Sequence, residues 1–392
     1  MQKIINFIIY LIVFSLPLYL VSFKIAWIPI TVLELMIYPL FIIWLFYFII
    51  KKKKIINCRF YIPASLIFLG ATISTLFSSD IQVSAGIWKA WFVAPMLLFI
   101  VIVNNIKTKK QIKNIILSFI LSGSIVAFIA LSYWLNENLT YDNRLQAFYN
   151  SPNYLAMFLS PLLFLSFYIY SLVKNKILKI LLIADYLLLI TVIYLTYSYG
   201  AWLGLIGAVI FIFIFLKIRL RYIFLFFLIT ILFFSFQASS YKFQGFLDFS
   251  YPSLKSRLVI WQSSWEIIKD HSLIGIGPGM FQKYYLDEQI NFEPYLEWAV
   301  PQPHNIFLAF WLQTGIIGLI GLIWLLIVFF KNALRSDLCK GRTSIILIVL
   351  ISSMICILIH GLVDTTYWKN DLAVFFWLIT ALMSKVDHLF DL

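Results

Sequence analysis

A succession of apolar runs, each near the ~20 residues that a helix needs to cross a bilayer, constrains this chain more than any motif does. They fall at roughly 4–23, 28–50, 61–77, 88–106, 114–135, 152–173, 180–198, 201–216, 222–238, 305–330, 343–362 and 372–384. With 62% hydrophobic and only 12% charged residues there is too little polar surface to coat a water-soluble globule of this length. The expected fold is an all-α polytopic membrane protein of about twelve transmembrane helices. The first run, Ile4 to Phe23, has no small-residue cleavage site and is expected to stay as a span.

The formal net charge of +13 raises nucleic acid as a partner, but the basic residues sit in short clusters between apolar runs and form no basic domain. Topology accounts for them better. Clusters at Lys51 to Lys54, Lys107 to Lys113, Lys174 to Lys179, Lys217 to Arg221 and Lys331 to Arg342 recur between alternate pairs of runs. Under the positive-inside rule they face the cytoplasm, as do both termini. The outward loops are then 24–27, 78–87, 136–151, a tight turn near Ser198 to Gly200, 239–303 and 363–371. Cys58, Cys339 and Cys356 share no metal-ligand spacing, and no disulfide framework is expected.

No fixed-period repeat or linker divides the chain, so residues 1–392 read as a single transmembrane domain with an outward insert at 239–303 between the ninth and tenth runs. Within the insert Leu254, Arg257 or Leu258, Trp261, Trp265 and Ile268 recur at steps of three and four. This spacing predicts an amphipathic helix, capped by Ser253, along the bilayer surface, with Ser256, Ser263, Glu266 and Asp270 on its other faces. Gly275, Gly277, Pro278 and Gly279 end it in a compact turn. Asp287, Glu288, Glu293 and Glu297 follow, and then Pro303, His304 and a long apolar run.

The sequence holds no phosphate loop, no HExxH and no GxSxG, and Asp287 with Glu288 is an ordinary surface pair, so no metal site and no cofactor are expected. What remains on the outward side is a set of separated cations, Lys89, Arg144 and Arg257, together with His304 and Asp364. Cations around one aqueous cleft suit a pyrophosphate, whose oxygens they bind and whose developing charge they stabilise. His304 opens a helix, where the positive end of the helix dipole favours the neutral ring that a general base requires. Each residue also has a plainer reading: His304 as an interfacial cap, Arg257 as a snorkelling side chain, Arg144 as the partner of Asp142, Lys89 as an interface anchor. His360 and Asp364, four residues apart, are spaced to touch across one helical turn, and Asp364 is placed to orient His304 or position an acceptor. Glu34 and Asp185, acids within apolar runs, read as helix-to-helix hydrogen bonders.

Arg144 with Asn150-Ser151-Pro152-Asn153, the turn SYGAWLG at 198–204, Arg257 and Trp261 followed by Gly275-Ile276-Gly277, and Pro303-His304-Asn305 with Gly315 and Gly318 resemble the O-antigen ligase and O-antigen polymerase superfamily. The resemblance spans about 144–364. It implies a GT-C-like membrane fold and metal-independent transfer of a glycan from undecaprenyl diphosphate to the hydroxyl of a lipid or glycan acceptor such as lipid A-core. The site would lie on the outer face of a bacterial inner membrane, in contact with membrane lipids and with no nucleic acid. His304 would be the base of an inverting displacement, with Asp364 beside it. Arg257, Arg144 and Lys89 would bind pyrophosphate, and Asn153, Trp261 and Asn305 are further candidate substrate contacts. One departure stands out, since Tyr199 follows Ser198 where the family often has an arginine. A ligase joining a finished glycan to an envelope acceptor and a polymerase joining lipid-linked repeats share donor and base, so both remain. A polysaccharide or small-solute transporter is the third reading, which the unmatched halves of the chain disfavour.

Overall fold

The structure is a computed structural model that describes residues 1–25, 28–222, 224–225, 228, 235, 252–292, 300–333 and 342–389. Most of the run 222–238, the start of the insert up to residue 251, Glu293, Glu297 and Cys339 lie outside the described residues.

The protein is 76% helical. In chain order its helices are α1 (Gln2–Phe14), α2 (Val32–Ile50), α3 (Tyr61–Leu76), α4 (Ile81–Asn105), α5 (Lys109–Leu135), α6 (Pro152–Leu172), α7 (Lys176–Leu195), α8 (Tyr199–Phe215), α9 (Pro252–His271), α10 (Phe281–Glu288), α11 (Ile306–Ala333), α12 (Arg342–Gly361) and α13 (Asn370–Leu389). Six of these, α2, α4, α5, α6, α7 and α11, are long and apolar enough to cross a membrane, and α1, α3, α8 and the apolar part of α12 are shorter apolar helices. The molecule is an integral membrane protein. Large apolar side chains on α7, Ile177, Ile180, Leu181 and Leu187, point outward and are well exposed, the surface that a hydrocarbon solvent would cover.

The first apolar run departs from expectation. α1 stops at Phe14, because Pro17 has no N–H to continue the ladder, and a short 3-10 turn over Leu16–Leu20 follows. The chain then forms an antiparallel hairpin of β1 (Ser22–Ile25) and β2 (Ile28–Thr31), with Ser22 opposite Thr31. A capping box closes the start of α2: Thr31 Oγ1 accepts from the Glu34 N–H at 3.2 Å and Glu34 Oε2 accepts from the Thr31 N–H at 2.9 Å.

Helix pairs are fitted by small residues. α3 lies along α11 where Gly70 meets the backbone of Thr314 and Gly318, and where Gly321 meets Ile67. α8 lies along α12 in the same way, with Gly204 against the Cys356 carbonyl and Gly207 against Ile359. α11 is kinked at Gly315, whose φ of 65° and ψ of −176° are open to glycine and strained for other residues. The turn after α9 docks into that kink: the Ile276 N–H donates to Leu312 O at 2.6 Å and the Ile316 N–H to Leu273 O at 3.2 Å. Gly275, itself at φ 79°, approaches so closely that a Cβ there would stand 2.5 Å from the Leu312 carbonyl. The glycines of 275–277 and 315–318 therefore serve architecture.

Where α4, α11 and the start of α13 meet, Phe92, Phe310, Tyr367 and Trp368 pack in tilted and edge-to-face pairs with centroids 4.9–6.4 Å apart. Pro95 removes the N–H that would reach the Trp91 carbonyl, and the Tyr367 hydroxyl donates to that carbonyl at 2.7 Å. This anchors the turn that follows α12, which carries Asp364.

α9 is helical as expected, but its buried face is not the expected one. Val259, Ile260, Ser263, Ser264, Ile267 and Ile268 are buried together with Ser256, while Leu258 and Trp265 are about half exposed. Serine is small enough to let the helix approach its neighbours, so Ser256 and Ser263 pack inward; of the expected stripe Ile268 is buried, Trp261 is half-buried and Leu258 and Trp265 face out. Helix α9 already runs at Pro252, which places Ser253 within it and not at its cap.

Candidate functional site

Four segments distant in sequence meet at one rim: the loop between α5 and α6, the body of α9, the start of α11 and the turn after α12. His304 stands one residue before the cap of α11. Asn305 Oδ1 accepts from the Phe307 and Leu308 N–H groups at 2.9 and 3.1 Å, and its amide donates to Leu362 O at 3.0 Å. The Trp261 indole N–H donates to Pro303 O at 3.1 Å. Fastened on both sides, His304 holds a φ of 47°, a left-handed conformation that costs a non-glycine residue free energy and persists where neighbours impose it.

The His304 ring faces Asp364, with Nδ1 and Oδ1 2.9 Å apart. Asp364 Oδ1 also accepts from the Thr365 N–H at 2.9 Å, and Oδ2 accepts from the Asn153 amide at 2.8 Å. Burial raises the pKa of this carboxyl, but the His304 ring and the Arg257 charge outweigh it and hold the group below the usual carboxylate range. An ionised Asp364 is acceptor only, so Nδ1 carries the hydrogen of this contact and Nε2 is the nitrogen left to face a substrate. The Asp364 side chain is 5% exposed and that of His304 26%, so the acid is sealed and the imidazole is accessible.

Asn153 extends the chain of bonds. Its Oδ1 accepts from Arg144 at 2.7 Å, while Arg144 Nε donates to Thr196 O at 2.8 Å, beyond the end of α7. Asp142, the expected partner of Arg144, is 3.8 Å away. The loop itself is tied down by the Leu145 N–H donating to Leu195 O at 2.9 Å. On the other side Arg257 Nε donates to Val363 O at 2.8 Å, which sets its guanidinium next to Asp364. Arg144, Asn153, Asp364 and His304 thus form one continuous hydrogen-bonded line flanked by Arg257.

Lys89 departs from expectation. It opens a π turn, Lys89–Val93, within α4, and its ammonium pairs with the buried carboxylate of Glu34. Among the described residues no contact joins this pair to the His304 line, so the cation expected at the pyrophosphate is here half of a structural ion pair. Glu34 is, as read, a bridge between helices. His360 and Asp364 share no hydrogen bond, because α12 ends at Gly361 and the following turn sends the carboxylate to His304. His360 is buried with its ring against Gly200. Asn305 and Trp261 spend their polar atoms on the backbone around His304, and both line an open groove of about 710 Å³ with Leu258, Trp265 and Phe307. Asp287 and Glu288 stand on α10, and among the described residues no three His, Cys, Asp or Glu side chains are placed to hold a metal ion.

Residues 186–323 match the O-antigen ligase family. The match supports the O-antigen ligase and polymerase superfamily, whose members are glycosyltransferase-like. It covers about a third of the chain, including Arg257, Trp261, His304 and Asn305. Arg144, Asn153 and Asp364 lie outside the matched stretch, yet the fold joins them to His304. No curated protein matches the chain. Sequence reasoning passed over Lys369, a cation on the same turn as Asp364 whose ammonium lies over the Tyr154 ring. The signal present was its place in the same polar loop, 363–371, as Asp364.

Proposed function

We propose that this protein is a metal-independent glycosyltransferase of the O-antigen ligase type, transferring a glycan from a polyprenyl diphosphate such as undecaprenyl diphosphate to a hydroxyl of an envelope acceptor. The observation that carries the reading is the 2.9 Å contact between His304 Nδ1 and a buried, ionised Asp364. It leaves Nε2 as the one basic atom of an accessible ring on a site flanked by arginine.

In the reaction the acceptor hydroxyl attacks the anomeric carbon, its proton passing to His304 Nε2 as the new C–O bond forms. The bond from that carbon to the diphosphate oxygen breaks, and the electron pair leaves with the diphosphate. One direct displacement inverts the anomeric centre. Asp364 stabilises the imidazolium so formed and fixes the tautomer. Arg257, beside the acid, supplies positive charge toward the leaving diphosphate. Arg144 is a positioning residue, since it acts on Asp364 through Asn153. The site belongs on the outer face of the inner membrane, where lipid-linked donors and envelope acceptors meet.

Purified protein incubated with a polyprenyl diphosphate glycan and a lipid A-core acceptor should yield the transferred product in the presence of a chelator. Loss of turnover on chelation, or full turnover by His304→Ala, would sink the assignment. Product size in the same reaction separates one transfer onto a core from growth of a polymer.

A further inference from the structure

Lys369 is the last residue of the turn before α13, with its carbonyl accepting from the Ala373 N–H at 2.9 Å. A cation at a helix N-terminus opposes the helix dipole. Burial adds a second cost and lowers the pKa of the ammonium, against which the Asp371 carboxylate acts in the other direction. Among the described residues no carboxylate lies within salt-bridge distance of its Nζ and no acceptor is hydrogen bonded to it. The contact it does make is with the face of Tyr154, 4.3 Å from the ring centroid. A ring face attracts a cation but accepts none of the three N–H donors in the way an oxygen does.

The position of that ring matters. Tyr154 follows Asn153, whose amide holds Asp364 at 2.8 Å, and both Asp364 and Asp371 lie within electrostatic reach of it. Asp371 cannot discharge the lysine by contact, since its Oδ1 takes the Leu372 N–H and its buried Oδ2 has no hydrogen-bond partner among the described residues. Lys89, the other lysine expected at the site, is held by Glu34. A half-buried ammonium with unused donors, held over the ring that follows Asn153 in sequence, suits an anion that arrives with the substrate.

We infer that Lys369 is a further phosphate-binding cation of the His304 site, contacting the diphosphate of the lipid-linked donor, an inference that rests on the glycosyl-transfer reading above.

The test is equilibrium binding of farnesyl diphosphate and farnesyl monophosphate to the purified full chain in detergent. The wild type should prefer the diphosphate. Loss of one charge-assisted contact in Lys369→Gln should weaken diphosphate binding about tenfold, weaken the monophosphate less, and leave Lys369→Arg within about twofold of wild type. Lys369→Met, apolar and of similar length, is the second variant should the glutamine fail to fold. A wild type with no preference for diphosphate overturns the donor assignment and the inference with it. A preference in the wild type that persists unchanged in Lys369→Gln or Lys369→Met overturns the inference alone. Unfolding of both variants, or a lower melting temperature with the preference intact, assigns the lysine to structure and also overturns it.

Discussion

Two buried carboxylate assemblies among the described residues, at Glu34 and at Asp364, differ in whether they are closed. At Glu34 every carboxylate bond is internal: Thr31 donates through its N–H and its hydroxyl, and Lys89 supplies the counter-charge. At Asp364 the inner bonds are equally complete, but the line ends in an imidazole that is 26% exposed and has its second nitrogen unused by the inner bonds. A buried polar group must be satisfied in any fold. The closed assembly therefore reads as structure and the open one as a site, although both present a carboxylate paired to a basic side chain.

The sharpest way to break this contrast is His304→Ala. Loss of a general base should lower the turnover of the folded fraction by about 10³-fold, and retained turnover would put the chemistry elsewhere. Asp364→Asn keeps the shape but removes the charge that stabilises the imidazolium, and is expected to lower turnover by about 10²-fold. Smaller again is the effect of the supporting arginine: Arg144→Gln should cost about tenfold in kcat. Its effect should shrink when Asn153 is already changed to Leu, since both act along one line.

At the closed assembly the expectation reverses. Lys89→Met leaves a buried carboxylate without its counter-charge, so about 3 kcal/mol of stability should be lost. The turnover of the folded fraction should match wild type. Thermal unfolding and activity on the same preparation separate the two outcomes, and a fall in diphosphate affinity would return Lys89 to the donor site.

The smallest effect is the pH dependence of stability. The Asp364 pKa is depressed in the fold, so its contribution is fully present above the unfolded value of about 3.9 and is lost as pH falls through the folded value. Melting temperatures measured between neutral pH and pH 3 should show an acid-side decline that Asp364→Asn makes shallower. Equal slopes in the two proteins would mean that the carboxylate is not held by its neighbours in the way described.

Much of the fold was legible because run length and apolar content act locally. Apart from 222–238, each apolar run overlaps a helix, although Pro17 shortens the first and the hairpin 22–31 follows it. The site was partly legible for a different reason, since His304, Arg257, Arg144 and Asp364 are polar residues in the stretches between apolar runs. What spacing does not contain is rotation about a helix axis. That is why Ser256 and Ser263 of α9 were placed off its packing face and Lys89 was read as a ligand, when its partner Glu34 lies 55 positions earlier. The His360 reading failed because a helical spacing was extended past Gly361, where the helix has ended. The glycines at 275–277 and 315–318 were visible, but their purpose needed two backbones in the same place.

The carboxylate that orients His304 is carried on the turn after α12, sixty positions downstream of it. During synthesis the base is therefore made and inserted well before its orienting partner leaves the ribosome. A chain stopped anywhere short of that turn would carry the histidine without the acid.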